Sequence, residues 1–263
     1  MNALVDRLRA GELVLMLTIR GSRTTDVVRI AQATGHHAIM VDLEHSAISL
    51  DLAGQLCATA GDLGLTPFVR VPERDYGSIG RLLDTGAEGI IAPRVETVGA
   101  AELVGRACRF PPRGQRSQLA MVPQLGMRPT PAASLNPALD ERTIAAALLE
   151  TPLGIGQAEA IAALDGIDML AIGANDLTAE LGVPGRYTDP RLRDAVVTAA
   201  DACRKHGKLL MLGGIADPSI LGPLIDLGVR PLIMTGSDTD LLYAGAEARA
   251  GLYATWWRDG RTS

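Results

Sequence analysis

Residues 78–93 read SIGRLLDTGAEGIIAP. Ile79, Leu82 and Leu83 recur at helical spacing, and Gly86 stops the pattern where a helix C-terminus needs a glycine. A short apolar run, EGIIAP (88–93), follows at once and suits a strand buried on both faces. Helix, glycine, buried strand is the repeating half of a βα unit.

The same order recurs along the chain. Apolar runs lie at VLMLTI (14–19), HAIMV (37–41), LTPFVRV (65–71), EGIIAP (88–93), TIAAALLE (143–150), DMLAIG (168–173), KLLMLG (208–213) and PLIMTG (231–236). Roughly 15 to 30 residues with spacings of three and four separate most of them. Gly35, Gly64, Gly86, Gly166, Gly207 and Gly228 each stand a few residues before a run, where helix C-cap glycines belong. Eight such units predict an α/β chain folded as one (β/α)8 TIM barrel over residues 1–263. The opening MNALVDRLRAGE reads as a short amphipathic helix. Residues 111–142, with six prolines, read as an irregular loop that covers a site or builds a subunit contact. Both tryptophans, Trp256 and Trp257, lie near the C-terminus, in a segment expected to meet a neighbouring subunit rather than the barrel.

Composition narrows the function. The chain is 47% hydrophobic and 21% charged, and its formal net charge of -5 comes without a Lys/Arg block, which argues against nucleic-acid binding. Cys57, Cys108 and Cys203 form no Cys-x-x-Cys pair, so a reducing compartment is the simpler reading. The sequence has neither an apolar signal core nor a run long enough for a membrane span, and a cytoplasmic protein is expected.

In a (β/α)8 barrel, chemistry gathers at the C-terminal ends of the strands. There the sequence places Asp42, Glu44 and His45 at the end of the second strand, Arg70 at the end of the third, Arg94 after the fourth and Glu150 at the end of the fifth. Asn175 and Asp176 follow the sixth. His45 is the histidine of this face and a natural general base, unless it is only a loop residue. Glu150 and Asp176 end adjacent strands and could hold a hard divalent ion. A salt bridge and a helix N-terminal carboxylate are their plainer roles. Arg70 can bind a carboxylate or an oxyanion, or simply pair with Glu44. Asp84 falls at a helix end on the opposite face and reads as a surface residue. The only lysines, Lys205 and Lys208, also belong to that opposite face, so Schiff-base carbonyl chemistry has no lysine available.

Taken in order, MVDLEHS (40–46), TPFVRVPE (66–73), GAEGIIAPRVET (86–97), PPRGQR (111–116), ALLETPLG (147–154) and IGANDLTAELG (172–182) resemble the HpcH/HpaI aldolases, metal-dependent class II pyruvate aldolases. The resemblance implies a barrel that assembles as a hexamer with exchanged C-terminal helices. It implies reversible cleavage of 4-hydroxy-2-oxo acids to pyruvate and an aldehyde. Glu150 and Asp176 would ligate Mg²⁺, Mn²⁺ or Co²⁺, and Arg70 would contact the keto oxygen. Gly173, Ala174 and Asn175 would hold the substrate carboxylate. His45 would serve the acid–base chemistry, with Asp84 reaching it across a subunit contact. Asp42 and Glu44 would steady His45 or Arg70. Leu148 departs from the pattern, which often has glutamine there. Two other readings stay open: a lyase of acyl-CoA thioesters in the same barrel, and a non-catalytic oxo-acid binding protein.

Overall fold

The computed structural model describes residues 2–260; Met1 and residues 261–263, the outermost ends of the expected domain, lie outside the described residues. Eight parallel strands form the barrel: β1 (Val14–Ile19), β2 (Ala38–Asp42), β3 (Thr66–Arg70), β4 (Gly89–Ala92), β5 (Ile144–Leu149), β6 (Met169–Gly173), β7 (Leu209–Gly213) and β8 (Leu232–Ser237). Each lies within one of the eight apolar runs or extends it by a residue. The hydrogen-bonded order runs from β7 down to β1 and on to β8. Between β7 and β8 the Arg230 N–H donates to the Leu210 carbonyl at 2.8 Å in place of a ladder.

Alternation along the strands divides the core in two. One set of residues, among them Met16, Met40, Phe68, Ile91, Ala146, Leu148, Ala171 and Met211, fills the barrel interior. The intervening residues, such as Ile19, Val41, Val69, Ala147 and Leu212, pack outward against the helices. The helix Ala3–Arg9 places Leu4 and Leu8 with the interior set, closing the N-terminal end. Asn2 caps that helix and donates through its side chain to Glu88 at 3.0 Å and to the Arg142 carbonyl at 2.8 Å. Gly89 leaves the space that the Phe68 ring occupies.

Two sequence expectations change. Gly166 is not a positive-φ cap like the other five glycines. It gives way to Gly105 of the helix Val98–Cys108, whose Cα would lie 3.0 Å from a Cβ at 166. Residues 111–142 are not wholly irregular, because a helix spans Ala132–Arg142 with Pro137 inside it. Pro137 costs that helix one hydrogen bond, about 3 kcal/mol in an interior. Leu135 and Leu139, one turn apart, offset this by packing with Phe110 and Val122 in a small separate core. The C-terminal segment is one helix, Asp238–Asp259, that buries none of its residues. No helix among the described residues is long and apolar enough to cross a membrane.

Candidate active site

The inward parity of each strand continues past the core into the barrel mouth. After Met16 come Thr18 and Arg20; after Met40, Asp42; after Phe68, Arg70; after Leu148, Glu150. On β6, β7 and β8 the matching positions are Gly173, Gly213 and Gly236. Strands 1, 2, 3 and 5 therefore supply charge, and strands 6 to 8 supply space. The result is a cavity of about 250 Å³ lined by Thr18, Arg20, Arg70, Glu150 and the three glycines, with Met40, Ile91, Leu148, Met211 and Met234 forming its apolar part; Asp42 is fully buried and does not line it.

Asp42 organises the charged half. Its carboxylate is fully buried and accepts two bonds from Arg70, Nε to Oδ1 at 3.0 Å and Nη2 to Oδ2 at 2.7 Å. Arg20 Nε donates to Oδ2 at 2.6 Å. Oδ1 also accepts the backbone N–H groups of Glu44 and His45, each at 3.2 Å, which sets the turn after β2. Burial alone would raise this carboxyl, but the Arg70 fork and then Arg20 outweigh it and hold it down at about 2. Arg70 is in turn kept charged: burial works against its charge, and Asp42 and Glu44 prevail. Glu44 lies 3.2 Å from Arg70 Nη1, an ion pair outside hydrogen-bond geometry, since Glu44 Oε2 is buried without a hydrogen-bond partner. Arg70 thus pairs with Glu44, as the plainer reading had it, but its principal partner is Asp42.

Glu150 is in the opposite electrostatic condition. It is buried, and burial pushes its carboxyl up to about 7. The Arg94 N–H, donating to Oε2 at 3.0 Å, offsets part of this, while Glu44 and Asp176 add like-charge repulsion. Glu44 is also raised, first by burial. Gly173 is what lets Glu150 occupy this place, because a Cβ there would sit 2.5 Å from Oε1. Asp176 stands in the first turn of the helix Ala174–Glu180 and lines the same cavity. Ala174 and Asn175 line it too, and Tyr187 donates its hydroxyl to Asn175 Oδ1 at 2.5 Å.

This donor set fits a hard divalent cation. Two carboxylates face one cavity, one of them destabilised as an anion, beside a buried glutamate oxygen that lacks a hydrogen bond. A cation would relieve all three conditions. Among the described residues no cluster of three or more His, Cys, Asp or Glu could hold a metal by itself. Glu150 and Asp176 would have to share it with water and substrate oxygens, an arrangement that suits Mg²⁺ and its relatives.

The remaining sequence candidates are spread more widely. His45 lies on the rim, about half exposed, with Nε2 3.9 Å from Glu44 Oε2. Asp84 ends the helix Ile79–Asp84 away from the mouth, where it accepts from Arg116 Nη2 at 2.8 Å. Arg116 is buried and its guanidinium lies 4.6 Å over the Phe110 ring. Within one protomer, His45 and Asp84 are therefore on different faces. Lys208 spends its ammonium on the Leu164 and Ile167 carbonyls, at 3.0 and 2.6 Å, and Lys205 pairs with Glu159. Neither lysine lines the cavity. Sequence reading missed Arg20, which follows β1 in a plain TIRGS stretch. The parity Met16–Thr18–Arg20 was the available signal.

The nearly closed parallel barrel thus carries a guanidinium-and-carboxylate mouth that neither lysine of the chain lines, so a Schiff base has no amine there. Residues 16–216 match the family model described as HpcH/HpaI aldolase/citrate lyase. The chain is 36% identical over 257 residues to a 4-hydroxy-4-methyl-2-oxoglutarate aldolase of Hapsidospora irregularis, covering 97% of this chain and 95% of that one. It is 32% identical to a hydroxypyruvate/pyruvate aldolase of Pseudomonas aeruginosa, covering 96% and 92%. Among solved structures it superimposes on an HpcH/HpaI aldolase from Desulfitobacterium hafniense with a TM-score of 0.87, at 25% identity and with 96% and 97% covered. The chain belongs to the HpcH/HpaI aldolase/citrate lyase family and is a carbon–carbon lyase.

Proposed function

We propose that residues 1–263 act as a single-domain, divalent-cation-dependent aldolase that reversibly cleaves 4-hydroxy-2-oxo acids into pyruvate and a carbonyl fragment. The observation that carries this reading is the pairing of Arg70, fixed by Asp42, with a buried and electrostatically unsatisfied Glu150 around one small cavity. Two similar chains named as aldolases, one of them for pyruvate, point the same way.

Glu150 and Asp176 would hold the ion, Mg²⁺, Mn²⁺ or Co²⁺. When bound, it would withdraw electron density from the 2-oxo group. The chain's own residues do the rest. Backbone N–H groups at Gly173–Asn175 face the substrate carboxylate at the start of a helix. His45 takes the proton from the 4-hydroxyl as the C3–C4 bond breaks. The bond's electrons pass into C2–C3, and negative charge collects on the former keto oxygen, where Arg70 opposes it. A proton delivered to C3 completes pyruvate, and condensation runs the same steps backward. Asp42 and Glu44 keep Arg70 charged and in place. The apolar patch of Met40, Ile91, Leu148 and Met211 accepts the methyl end of pyruvate.

We also propose a homo-hexamer in which the helix Asp238–Asp259 packs on a neighbouring protomer and Asp84 approaches a neighbour's His45.

The test is a panel of pyruvate with varied aldehydes and ketones, and of 4-hydroxy-2-oxo acids in the cleavage direction, at controlled metal. Activity should vanish on chelation, return with Mg²⁺, Mn²⁺ or Co²⁺, and fall by several orders of magnitude in Glu150→Gln. Full turnover by Glu150→Gln with metal retained would overturn the assigned site. Turnover of acyl-CoA thioesters in place of free oxo acids would overturn the substrate class.

A further inference from the structure

Arg94 follows Pro93 just beyond β4 and adopts φ 50°, in the left-handed region that a non-glycine residue seldom takes. Such strain persists only where the surroundings over-determine it. Two contacts do so here. The backbone N–H donates to Glu150 Oε2 at 3.0 Å. The guanidinium Nη2 donates to Glu180 Oε1 at 2.7 Å, with Glu96 further off at 3.9 Å. Glu180 is the last residue of the helix whose first turn carries Asp176. One strained residue therefore touches Glu150 directly and, through Glu180, the element that carries Asp176. Its loop is itself fixed: Val95 N–H donates to the Leu148 carbonyl at 3.0 Å, and Gly154 lacks the Cβ that would lie 2.7 Å from the Val95 carbonyl.

We infer that Arg94 is a positioning residue that sets the relative placement of the two carboxylates, aiming Glu150 with its backbone and tethering the Asp176 helix with its side chain. The inference rests on the reading of Glu150 and Asp176 as the cation's ligands. It makes a prediction whose sign separates it from simple electrostatics. Arg94 is a positive charge near the ion, so charge alone makes its removal tighten cation binding. A tether makes its removal loosen binding. The pair is partly exposed, so its loss should leave the melting temperature of the metal-free protein nearly unchanged.

The experiment is calorimetric titration of the full chain with Mn²⁺ alone, with melting temperature as the control. Arg94→Met should weaken Mn²⁺ binding by about tenfold, the scale of lost support around a metal ligand. Glu180→Gln, an exposed substitution, should also weaken binding; because losing its negative charge does that on charge alone, it bears on the tether only through the double variant. The double variant should bind no more weakly than either single one, and Arg94→Lys should recover part of the loss. Glu150→Gln is the reference. If it abolishes Mn²⁺ binding while Arg94→Met binds as tightly as wild type or more tightly, the tether is wrong and the metal reading stands. If Glu150→Gln binds Mn²⁺ like wild type, the metal reading fails and the tether falls with it.

Discussion

Asp42 serves two guanidiniums with one buried carboxylate, and the acid side of the stability curve should show it. Its folded carboxyl lies at about 2, against an ordinary 3.8. As pH falls, the unfolded chain takes up this proton first, so Asp42's contribution is complete above about pH 4 and is lost on the way down to about pH 2. The shift corresponds to roughly 2 kcal/mol. Asp42→Asn should cost roughly 3 kcal/mol at pH 7, because Arg70 loses its fork, and the deficit should shrink between pH 4 and pH 2 in urea titrations. Glu150 has the opposite sign. Its folded carboxyl lies at about 7 against an ordinary 4.5, so the metal-free native state loses stability as pH rises through that window. Metal-free Glu150→Gln should therefore melt higher than wild type at pH 8, by up to about 3 kcal/mol, and the gap should close near pH 4.5. Calorimetric melts at the two pH values check this, and added Mn²⁺ should stabilise only the wild type. Most of these residues were legible in sequence because they sit at the end of a strand or just past it. Arg20 was not: a lone arginine in a turn carries no signal until the inward parity of β1 is counted through it. Asp42's primacy over Glu44 as the partner of Arg70 follows from the same parity.

The strands were readable because a doubly buried strand is a short apolar run with little else to be, and eight such runs allow few topologies. The helix Ala132–Arg142 was hidden because its prolines at 131 and 137 advertise a loop, while only the spacing of Leu135 and Leu139 argues otherwise. Its core of Phe110, Val122, Leu135 and Leu139 stands apart from the barrel interior and should fail separately. Leu139→Ala should cost about 2–4 kcal/mol locally. The expected result is faster limited proteolysis between residues 111 and 131 under conditions where barrel tryptic fragments stay intact. Equal cleavage rates in the variant and wild type would show that this segment draws its order from elsewhere. Contacts between segments distant in sequence, such as Arg94 with Glu180 or Asp84 with Arg116, carry no local pattern at all. They emerge only when the fold brings positions 86 and 32 residues apart together.

At the scale of the molecule, the helix Asp238–Asp259 poses a physical problem. It has 22 residues, about 33 Å of helix, and none of them is buried. Leu242, Tyr243, Leu252, Tyr253, Trp256 and Trp257 all stand more than half exposed. Propensity and a capping box at Ser237 can start such a helix, but helices in proteins owe most of their stability to an apolar face that packs. Six large apolar side chains left exposed on one helix mark an interaction surface, and Trp and Tyr are enriched in the residues that carry such surfaces. A second copy of the chain is the occupant that the proposed hexamer supplies. Trp256→Ala combined with Trp257→Ala should then give a smaller species by sedimentation velocity. If Asp84 acts on a neighbour's His45, that smaller species should also lose kcat more than it gains in KM, while its cavity still binds Mn²⁺. A dissociated double variant with unchanged kcat would confine each active site to one protomer and leave Asp84 to its ion pair with Arg116. An undissociated variant with a lower melting temperature would place the tryptophans on their own barrel in solution.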